Sequence, residues 1–270
     1  MNDVSFGQYY PADSFTHRLD PRLKLVWLIG YIVTVFLAQD FYALGACAVM
    51  FLLVVAVSGI PLGKLLNSIK AVAFLLLFTS LLNLFFGQGE TVLAEWWIII
   101  ITKEAVFSTL FFAIRLFLLV LGSSILTLTT SPVSLTDGIE SLLTPLKWLH
   151  FPVHAFALIM SIALRFIPIL TEETARIMNA QKSRGADFET GSLLQRIKAV
   201  LPVIAPLLIS SLRRAEELGD AMDARCYSGD GKRTKYKKLT FTWRDLVAMA
   251  ALVLLITAVA LCGAYLPPMV

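Results

Sequence analysis

Apolar residues gather into five long runs along the chain, and shorter polar segments separate them. A transmembrane helix needs about 20 predominantly apolar residues, and each run reaches or approaches that length. We therefore predict an all-α, polytopic membrane protein with about five transmembrane helices. The predicted spans are Leu23–Ala38, Phe41–Ser58, Ile69–Phe86, Ala105–Leu128 and Leu246–Leu266.

Two further apolar runs, Val153–Leu170 and Val200–Leu212, are interrupted by proline. The first of them also carries Arg165. We predict that both form amphipathic helices in the cytosol or at the membrane interface; the alternative is that either one crosses the bilayer. Proline also marks helix starts, because Asp20-Pro21 and Thr130-Ser131-Pro132 combine a capping side chain with a proline at the first helical position.

Basic residues are distributed unevenly, and their distribution predicts the orientation of the chain. Sixteen Lys or Arg lie between Thr129 and Asp245, and none follows Asp245. Because cytoplasmic loops are enriched in Lys and Arg, the N-terminus and the middle region are predicted to lie in the cytosol and the C-terminus outside. The chain then has three parts: membrane helices with about four spans (1–128), a cytosolic or interfacial helical region (129–245) and a C-terminal transmembrane helix (246–270).

The composition agrees with a membrane protein and disfavours other classes. Of the 270 residues, 57% are apolar and 16% are charged, and the mean hydropathy is +0.76. Soluble domains are nearer about 45–50% apolar and about 25% charged. The net charge of +4 is modest, so the basic residues indicate topology and no nucleic-acid partner. Three cysteines indicate neither a disulfide framework nor a metal cluster.

Three short motifs suggest a chemical site, but each departs from the pattern that the chemistry requires. Gly229–Thr234 resembles a phosphate loop, yet the first glycine and the Ser or Thr after the lysine are missing. His150 and His154 are separated by a proline and have no carboxylate beside them. Glu172-Glu173 resembles the paired glutamates of CAAX-type intramembrane proteases, but the arginine spacing and the histidines do not match. We therefore expect no catalytic, cofactor-binding or metal-binding residues in this chain, and no enzymatic activity.

Arg115 lies near the middle of the fourth predicted span. A charge at that depth costs about 2.5–3.5 kcal/mol on insertion scales, so the side chain is predicted to face protein or water. Two interpretations remain open. Arg115 is either a functional residue of a pathway or gate, or a structural arginine that bonds to the carbonyl groups of a neighbouring span.

A short motif with a central arginine occurs twice in the region 129–245. The two copies, Ser183-Arg184-Gly185 and Ala224-Arg225-Cys226, have their arginines 41 positions apart, and each is predicted to lie near a helix C-terminus. Small neighbours let a helix end approach another backbone closely, and the planar guanidinium can then bond carboxylate or carbonyl groups in a fixed geometry. Two such ends predict contacts with two similar partners.

Further short segments are spread in order over nearly the whole chain. They are Leu19-Asp20-Pro21-Arg22-Leu23-Lys24, Thr127-Leu128-Thr129-Thr130-Ser131-Pro132, Pro145-Leu146-Lys147, Leu164-Arg165-Phe166-Ile167-Pro168 and Arg213-Arg214-Ala215-Glu216-Glu217-Leu218. Together with the two arginine motifs, this ordered set resembles the transmembrane (T) component of energy-coupling factor transporters. These are ABC-type machines of prokaryotic cell membranes that import vitamins and metal ions.

The resemblance implies specific partners for the two motifs. Ser183-Arg184-Gly185 and Ala224-Arg225-Cys226 would end coupling helices that dock into grooves on two cytosolic ABC ATPases, and those partners would bind the ATP. A separate membrane substrate-binding (S) component would carry the substrate. Ala and Gly are the usual flanks in the family, so Ser183 and Cys226 depart from the commonest form, although both are small.

The resemblance leaves the substrate open. We expect a module that serves several S components for vitamins, and the nearest alternative is a module dedicated to cobalt, nickel or biotin. Two alternatives come from other classes: a permease that binds its substrate itself, and a membrane enzyme. The missing catalytic set disfavours the enzyme.

Overall fold

The structure is a computed structural model whose described residues form nine α-helices, a short 3-10 helix and one two-stranded hairpin. The described residues are 9–70, 72–86, 91–96, 99–149, 152–188, 192–227, 229 and 240–265. They fall into two compact units, which we name the bundle unit (Met1–Leu142 and Leu239–Val270) and the two-helix unit (Leu143–Lys238). The predicted all-α fold is confirmed.

The elements follow one another along the chain as a series of helices with one hairpin. The helices are α1 (Pro21–Leu37), α2 (Phe41–Ser58), α3 (Leu62–Lys70), α4 (Ala73–Phe86), α5 (Lys103–Thr129), α6 (Pro132–Leu143), α7 (Val153–Ser183), α8 (Leu193–Asp223) and α9 (Trp243–Tyr265). The strands are β1 (Val92–Trp96) and β2 (Ile99–Thr102), and the 3-10 helix is Thr144–Leu149.

Four helices of the described chain, α2, α5, α7 and α9, are long and apolar enough to cross a membrane. The first half of α7 contains the run Val153–Leu170, which was predicted to be amphipathic or interfacial with a membrane span as the alternative. By length and composition, α7 fits the alternative. The predicted span Ile69–Phe86 is not one straight helix, because α3 and α4 meet at a bend of 61°. A physical reason is that α3 carries Lys64, Asn67 and Lys70 among its leucines, and such a helix lies more favourably at the interface than in hydrocarbon.

Four helices, α1, α2, α5 and α9, pack around the core of the bundle unit. Tyr31 on α1 is fully buried, and its ring stacks on Trp27 with 5.5 Å between the centroids. Gly122 on α5 provides the space for this ring, since a Cβ atom there would lie 2.5 Å from Cε1 of Tyr31. The outer faces of the same helices are also apolar and exposed, as expected for helices that face lipid.

Two predicted helix starts are confirmed by local hydrogen bonds. α1 begins directly after Asp20, whose Oδ1 accepts from the N–H of Arg22 at 2.9 Å. α6 begins directly after Ser131, whose Oγ accepts from the N–H of Ser134 at 3.3 Å. Both side chains satisfy N–H groups that have no partner within the helix.

The two longest helices, α7 and α8, have 31 residues each and make up most of the two-helix unit. Both continue through the prolines of the two apolar runs, which are Pro168 in α7 and Pro202 and Pro206 in α8. All three prolines are exposed. Each proline ring removes one hydrogen bond from its own helix and crowds the carbonyl group four residues earlier, and both helices continue past these positions.

The connection between α4 and α5 contains a hairpin that the apolar pattern did not predict. β1 and β2 pair antiparallel, with Glu95 opposite Ile100. At the base of the hairpin, Oγ1 of Thr91 donates to Oε1 of Glu104 at 2.7 Å. Aromatic and β-branched residues favour strands, and residues 92–102 are rich in them, so this composition was the signal for strands that the search for long apolar runs passed over.

Candidate functional site

The first arginine motif forms the C-terminal cap of α7. Arg184 is the cap residue, and Gly185 follows it in the left-handed region with φ of 88°. The N–H of Gly185 donates to the carbonyl of Lys182, and the N–H of Ala186 donates to the carbonyl of Gln181, both at 3.0 Å. This pair of hydrogen bonds is the Schellman motif, which satisfies carbonyl groups that the helix leaves without partners.

The second arginine motif repeats the same backbone arrangement at the end of α8. Cys226 follows Arg225 and has φ of 53°. The N–H of Cys226 donates to the carbonyl of Asp223 at 2.8 Å, and the N–H of Tyr227 donates to the carbonyl of Met222 at 3.0 Å. The two motifs thus place their arginines at the same position of the same type of cap, and the resemblance extends from sequence to geometry.

The two caps differ in the residue that adopts the left-handed conformation. Gly185 has no Cβ and adopts positive φ without steric cost, whereas a side chain there costs roughly 1–2 kcal/mol. Cys226 is the one non-glycine residue with positive φ among the described residues. At the end of α8, Cys226 therefore takes the position that glycine takes at the end of α7.

Both arginine motifs are open to contact from outside the two-helix unit. Arg184 and Arg225 are exposed, as are the residues on either side of each arginine. Oγ of Ser183 donates to the carbonyl of Asn179 at 3.1 Å. The serine hydroxyl is thereby turned back onto its own helix and leaves a small surface beside the arginine.

α7 and α8 run antiparallel, as two contacts between them show. Nη2 of Arg214 donates to Oε2 of Glu173 at 3.2 Å. Nε2 of Gln181 lies 3.5 Å from the carbonyl oxygen of Pro202. The pairing therefore moves toward the start of α8 as it moves toward the end of α7.

The antiparallel pairing places the two arginines at opposite ends of the helix pair. Arg184 lies level with the start of α8, near Pro202, and Arg225 lies just beyond the end of α8. About 24 residues of helix at 1.5 Å per residue separate these levels, which is roughly 35 Å. At this separation, a single groove on one partner would not reach both arginines.

Comparison with known proteins identifies the family of the chain. The family model described as "Cobalt transport protein" matches residues 12–236. The energy-coupling factor transporter transmembrane protein EcfT of Brevibacillus brevis is 46% identical over 257 residues, covering 95% of this chain and 97% of the relative. EcfT of Clostridium kluyveri is 44% identical over 94% of this chain and 95% of the relative, and EcfT of Acidaminococcus fermentans is 46% identical over 94% and 96%.

The chain belongs to the T components of energy-coupling factor transporters. The match covers nearly the full length of the chain and of these relatives. It therefore includes both the bundle unit and the two-helix unit with its arginine motifs. The polytopic helices and the two arginine caps are therefore parts of one transporter component.

Arg115 of this T component contacts the end of a neighbouring helix. Its Nη2 donates to the carbonyl of Ala38, which is the C-cap of α1. Its guanidinium also lies over the rings of Phe111, at 4.6 Å, and Phe112, at 5.6 Å from the centroids. Because the carbonyls at a helix end lack partners within the helix, this contact favours the structural interpretation of Arg115.

The T component also contains a buried polar cluster that the sequence analysis missed. Nζ of Lys24 donates to the carbonyl of Thr129 at 3.0 Å and lies 3.3 Å from Oγ1 of Thr130. The N–H of Asp20 donates to Oδ1 of Asp245 at 3.0 Å. All five residues are buried. The cluster joins the starts of α1 and α9 to the end of α5. Lys24 and Thr129 lie in two of the short segments on which the family resemblance rests. Their place in those segments was the signal in the sequence that pointed to them.

A polar segment before α1 closes over the same cluster. Lys24 also donates to the carbonyl of His17 at 3.2 Å. Nε2 of His17 lies 2.9 Å from the carbonyl of Tyr10, and Nδ1 lies 2.7 Å from Oγ of Ser14. Burial lowers the pKa of His17, and the nearby Lys24 charge lowers it further, while the Tyr10 hydrogen bond raises it. A neutral ring with its proton on Nε2 satisfies both contacts.

The other motifs of the sequence analysis have structural partners or lie outside the described residues. Glu172 pairs with Arg176 one turn later at 3.9 Å on an exposed face, and Glu173 pairs with Arg214. His150 and most of Gly229–Thr234 lie outside the described residues. Within the described part of the chain, no three His, Cys, Asp or Glu side chains come together as metal ligands.

Proposed function

We propose that this T component couples ATP hydrolysis by two cytosolic ATPases to substrate uptake through membrane S components. Arg184 and Arg225 would each dock on one ATPase. The observation that carries the proposal is the duplication of one exposed arginine cap at two positions roughly 35 Å apart. Two equal ends at this spacing suit two copies, or two relatives, of one partner.

The caps provide the chemistry of such a contact. Each Schellman motif fixes the backbone around its arginine, so the guanidinium projects from an ordered helix end. A guanidinium presents donors in a planar fork that fits a carboxylate or two carbonyl groups. The small flanking residues leave room for the partner's backbone. In this mechanism the chain contributes position and hydrogen bonds, and the partners bind and hydrolyse the ATP.

We further propose that the substrate reaches the transporter on interchangeable S components for several vitamins. The relatives with near full-length similarity are named only as energy-coupling factor transporter transmembrane proteins, with no substrate in the name. A second candidate is a module dedicated to a metal ion, which the description of the family model as "Cobalt transport protein" favours. Uptake assays with labelled vitamins and with cobalt, each with its S component, distinguish the two.

The proposed orientation has the N-terminus and both arginine caps in the cytosol and the C-terminus outside. The asymmetry of the basic residues supports it. Single cysteines placed at Lys235 and Met269, in a chain without its own cysteines, test it with a membrane-impermeant reagent. Lys235 is expected to react only from the cytosolic side and Met269 only from outside. Reaction of both from one side contradicts the orientation.

The coupling proposal is tested by co-purification and uptake with arginine variants. Removing one partner of a buried charged contact costs about 2–5 kcal/mol, or roughly thirtyfold and more in affinity at about 1.4 kcal/mol per factor of ten. Arg184→Ala or Arg225→Ala alone is expected to retain much of the ATPase, because the two ATPases bind as a pair and the other end holds that pair at high effective concentration. Uptake is expected to fall in both.

The double variant Arg184→Ala/Arg225→Ala is expected to release the ATPases while the chain remains folded in the membrane. Lysine at either position is expected to restore little, because it keeps the charge and loses the planar fork. Arg176→Ala is the matched control, since Arg176 is exposed on α7 and pairs within its own helix. Stoichiometric ATPase and normal uptake with the double variant would contradict the proposal.

A further inference from the structure

The bundle unit contains an apolar cavity of about 380 Å³ between α1, α2, α5 and α9. Its walls are almost entirely hydrocarbon side chains, including Leu23, Trp27, Met50, Val54 and Leu126. A water molecule in a cavity needs two to four polar partners, whereas a dry cavity of about 150 Å³ lined by aliphatic and aromatic side chains binds benzene. The cavity therefore suits an apolar occupant larger than benzene.

The cavity extends over the depth of one leaflet. It reaches from Thr129 to Gly122 along α5, and from Val247 to Leu254 along α9. Leu254 lies 11 residues after the start of α9, which is roughly 16 Å at 1.5 Å per residue. Half of the hydrocarbon core of a bilayer is about 15 Å. The cavity thus begins at the end of the bundle where α1 and α9 start and ends near the middle of the membrane.

The cavity is continuous with the surface that faces the bilayer. Three residues that line it, Leu53, Val57 and Leu254, are 57%, 48% and 64% exposed. A chain in the surrounding hydrocarbon can therefore enter without unfolding the bundle. The polar residues of the lining, Lys24 and Thr129 among them, all lie at the end where α1 starts. The cavity has an apolar body and one polar end, which is the layout of a phospholipid.

We propose that this cavity binds one acyl chain of a phospholipid from the adjacent leaflet. The bound chain fills the space between α1, α2, α5 and α9 and leaves its headgroup at the polar end of the bundle. The inference is independent of the coupling function, because it needs only a bundle that spans the membrane. A side chain or helix of a membrane partner is the competing occupant.

Trp27 provides a direct probe, because its side chain lines the cavity. In a chain with Trp27 as its sole tryptophan, the other four being replaced by Phe, the protein is placed in nanodiscs of phosphatidylcholine. The acyl chains carry bromine, which quenches tryptophan fluorescence on contact. We expect strong quenching of Trp27 relative to nanodiscs of the unbrominated lipid.

Two matched variants on α9 separate the cavity from the bulk lipid. Ala251→Phe fills the cavity, since Ala251 lines it, whereas Ala250→Phe places the same ring on an exposed position outside the lining. Quenching is expected to be largely lost in Ala251→Phe and to persist in Ala250→Phe. Equal quenching in both variants would show that Trp27 reports bulk lipid and would overturn the proposal.

Native mass spectrometry of the unaltered chain gives a readout that does not depend on the tryptophan substitutions. After mild delipidation, one phospholipid is expected to remain per chain, and Ala251→Phe is expected to lose it while Ala250→Phe retains it. Absence of quenching and of retained lipid in the isolated chain would overturn the proposal and leave a membrane partner as the occupant.

Discussion

The bundle unit and the two-helix unit of this T component are built on different principles. Of the buried apolar side chains in the described residues, only Val153, Ala157 and Val203 belong to the two-helix unit, and the rest belong to the bundle unit. The bundle also holds the buried cluster around Lys24. The two-helix unit instead carries exposed apolar side chains along α8 and an exposed arginine cap at each end.

Because of this difference, substitutions in the two units are expected to affect different properties, which are folding for the bundle unit and assembly for the two-helix unit. The bundle is stabilised by contacts within its own unit, so substitutions there are expected to change folding. The two-helix unit has little core of its own, so its surfaces depend on lipid or on partner proteins, and substitutions at its ends are expected to change assembly while the chain stays folded.

The largest effect is expected from Lys24→Met in the bundle. The substitution removes the ammonium that bonds to the end of α5 and leaves the carboxylates of Asp20 and Asp245 buried without it. Removing one partner of a buried charged group costs about 3–5 kcal/mol. The free energy of unfolding in mixed micelles measures the loss. Lys70→Met, on the exposed surface of α3, is the control. If the Lys24→Met chain were as stable as the control, the claim that contacts within the bundle unit stabilise it would be contradicted.

A smaller loss is expected from Gly122→Ala. The added Cβ would lie 2.5 Å from the ring of Tyr31, which is fully buried. Overpacking of this kind costs about 1–3 kcal/mol. Gly45→Ala is the matched control, since a Cβ at Gly45 meets nothing within 4 Å and alanine favours a helix by about 0.5–1 kcal/mol. Thermal unfolding of the two variants is expected to shift in opposite directions.

The smallest effects are expected at the two caps of the two-helix unit, and they have opposite signs. Gly185→Ala places a side chain at φ of 88° and Cys226→Gly removes one at 53°, each changing the cap by roughly 1–2 kcal/mol. Affinity for the ATPases is therefore expected to fall about fivefold to thirtyfold in the first variant, and to hold or rise in the second. Titration of purified ATPase measures both. Loss of the folded bundle in either variant would contradict the separation of the two units.

Local chemistry was predictable from the sequence. The starts of α1 and α6 follow from Asp20 and Ser131, because a capping side chain bonds to N–H groups two or three residues away. The helix end at Gly185 follows from glycine in the same way. These features depend only on neighbours in the chain, so a single sequence contains the information that determines them.

Features that depend on distant residues were missed or were wrong. Lys24 and Thr129 are 105 positions apart, and nothing at either position identifies the other. The apolar runs around Pro168 and Pro202 were predicted to form amphipathic helices, and they lie within the longer helices α7 and α8. Cys226 takes a left-handed conformation that its residue type disfavours, because the repeated cap imposes it. Neither the long-range contact of Lys24 nor the conformation of Cys226 follows from the preference of a single residue type.

The central claim is that the two arginine caps contact two separate ATPase subunits. Ala180 and Ala221 are exposed and lie one helical turn before Arg184 and Arg225, on the same face as their arginines. A photo-crosslinking amino acid at either position of the assembled transporter is expected to attach one ATPase subunit to the chain. With the crosslinker at both positions, the account predicts a product of one T component with two ATPase subunits. A double-probe chain that never carries more than one ATPase subunit, although each single probe reacts efficiently, would contradict the account.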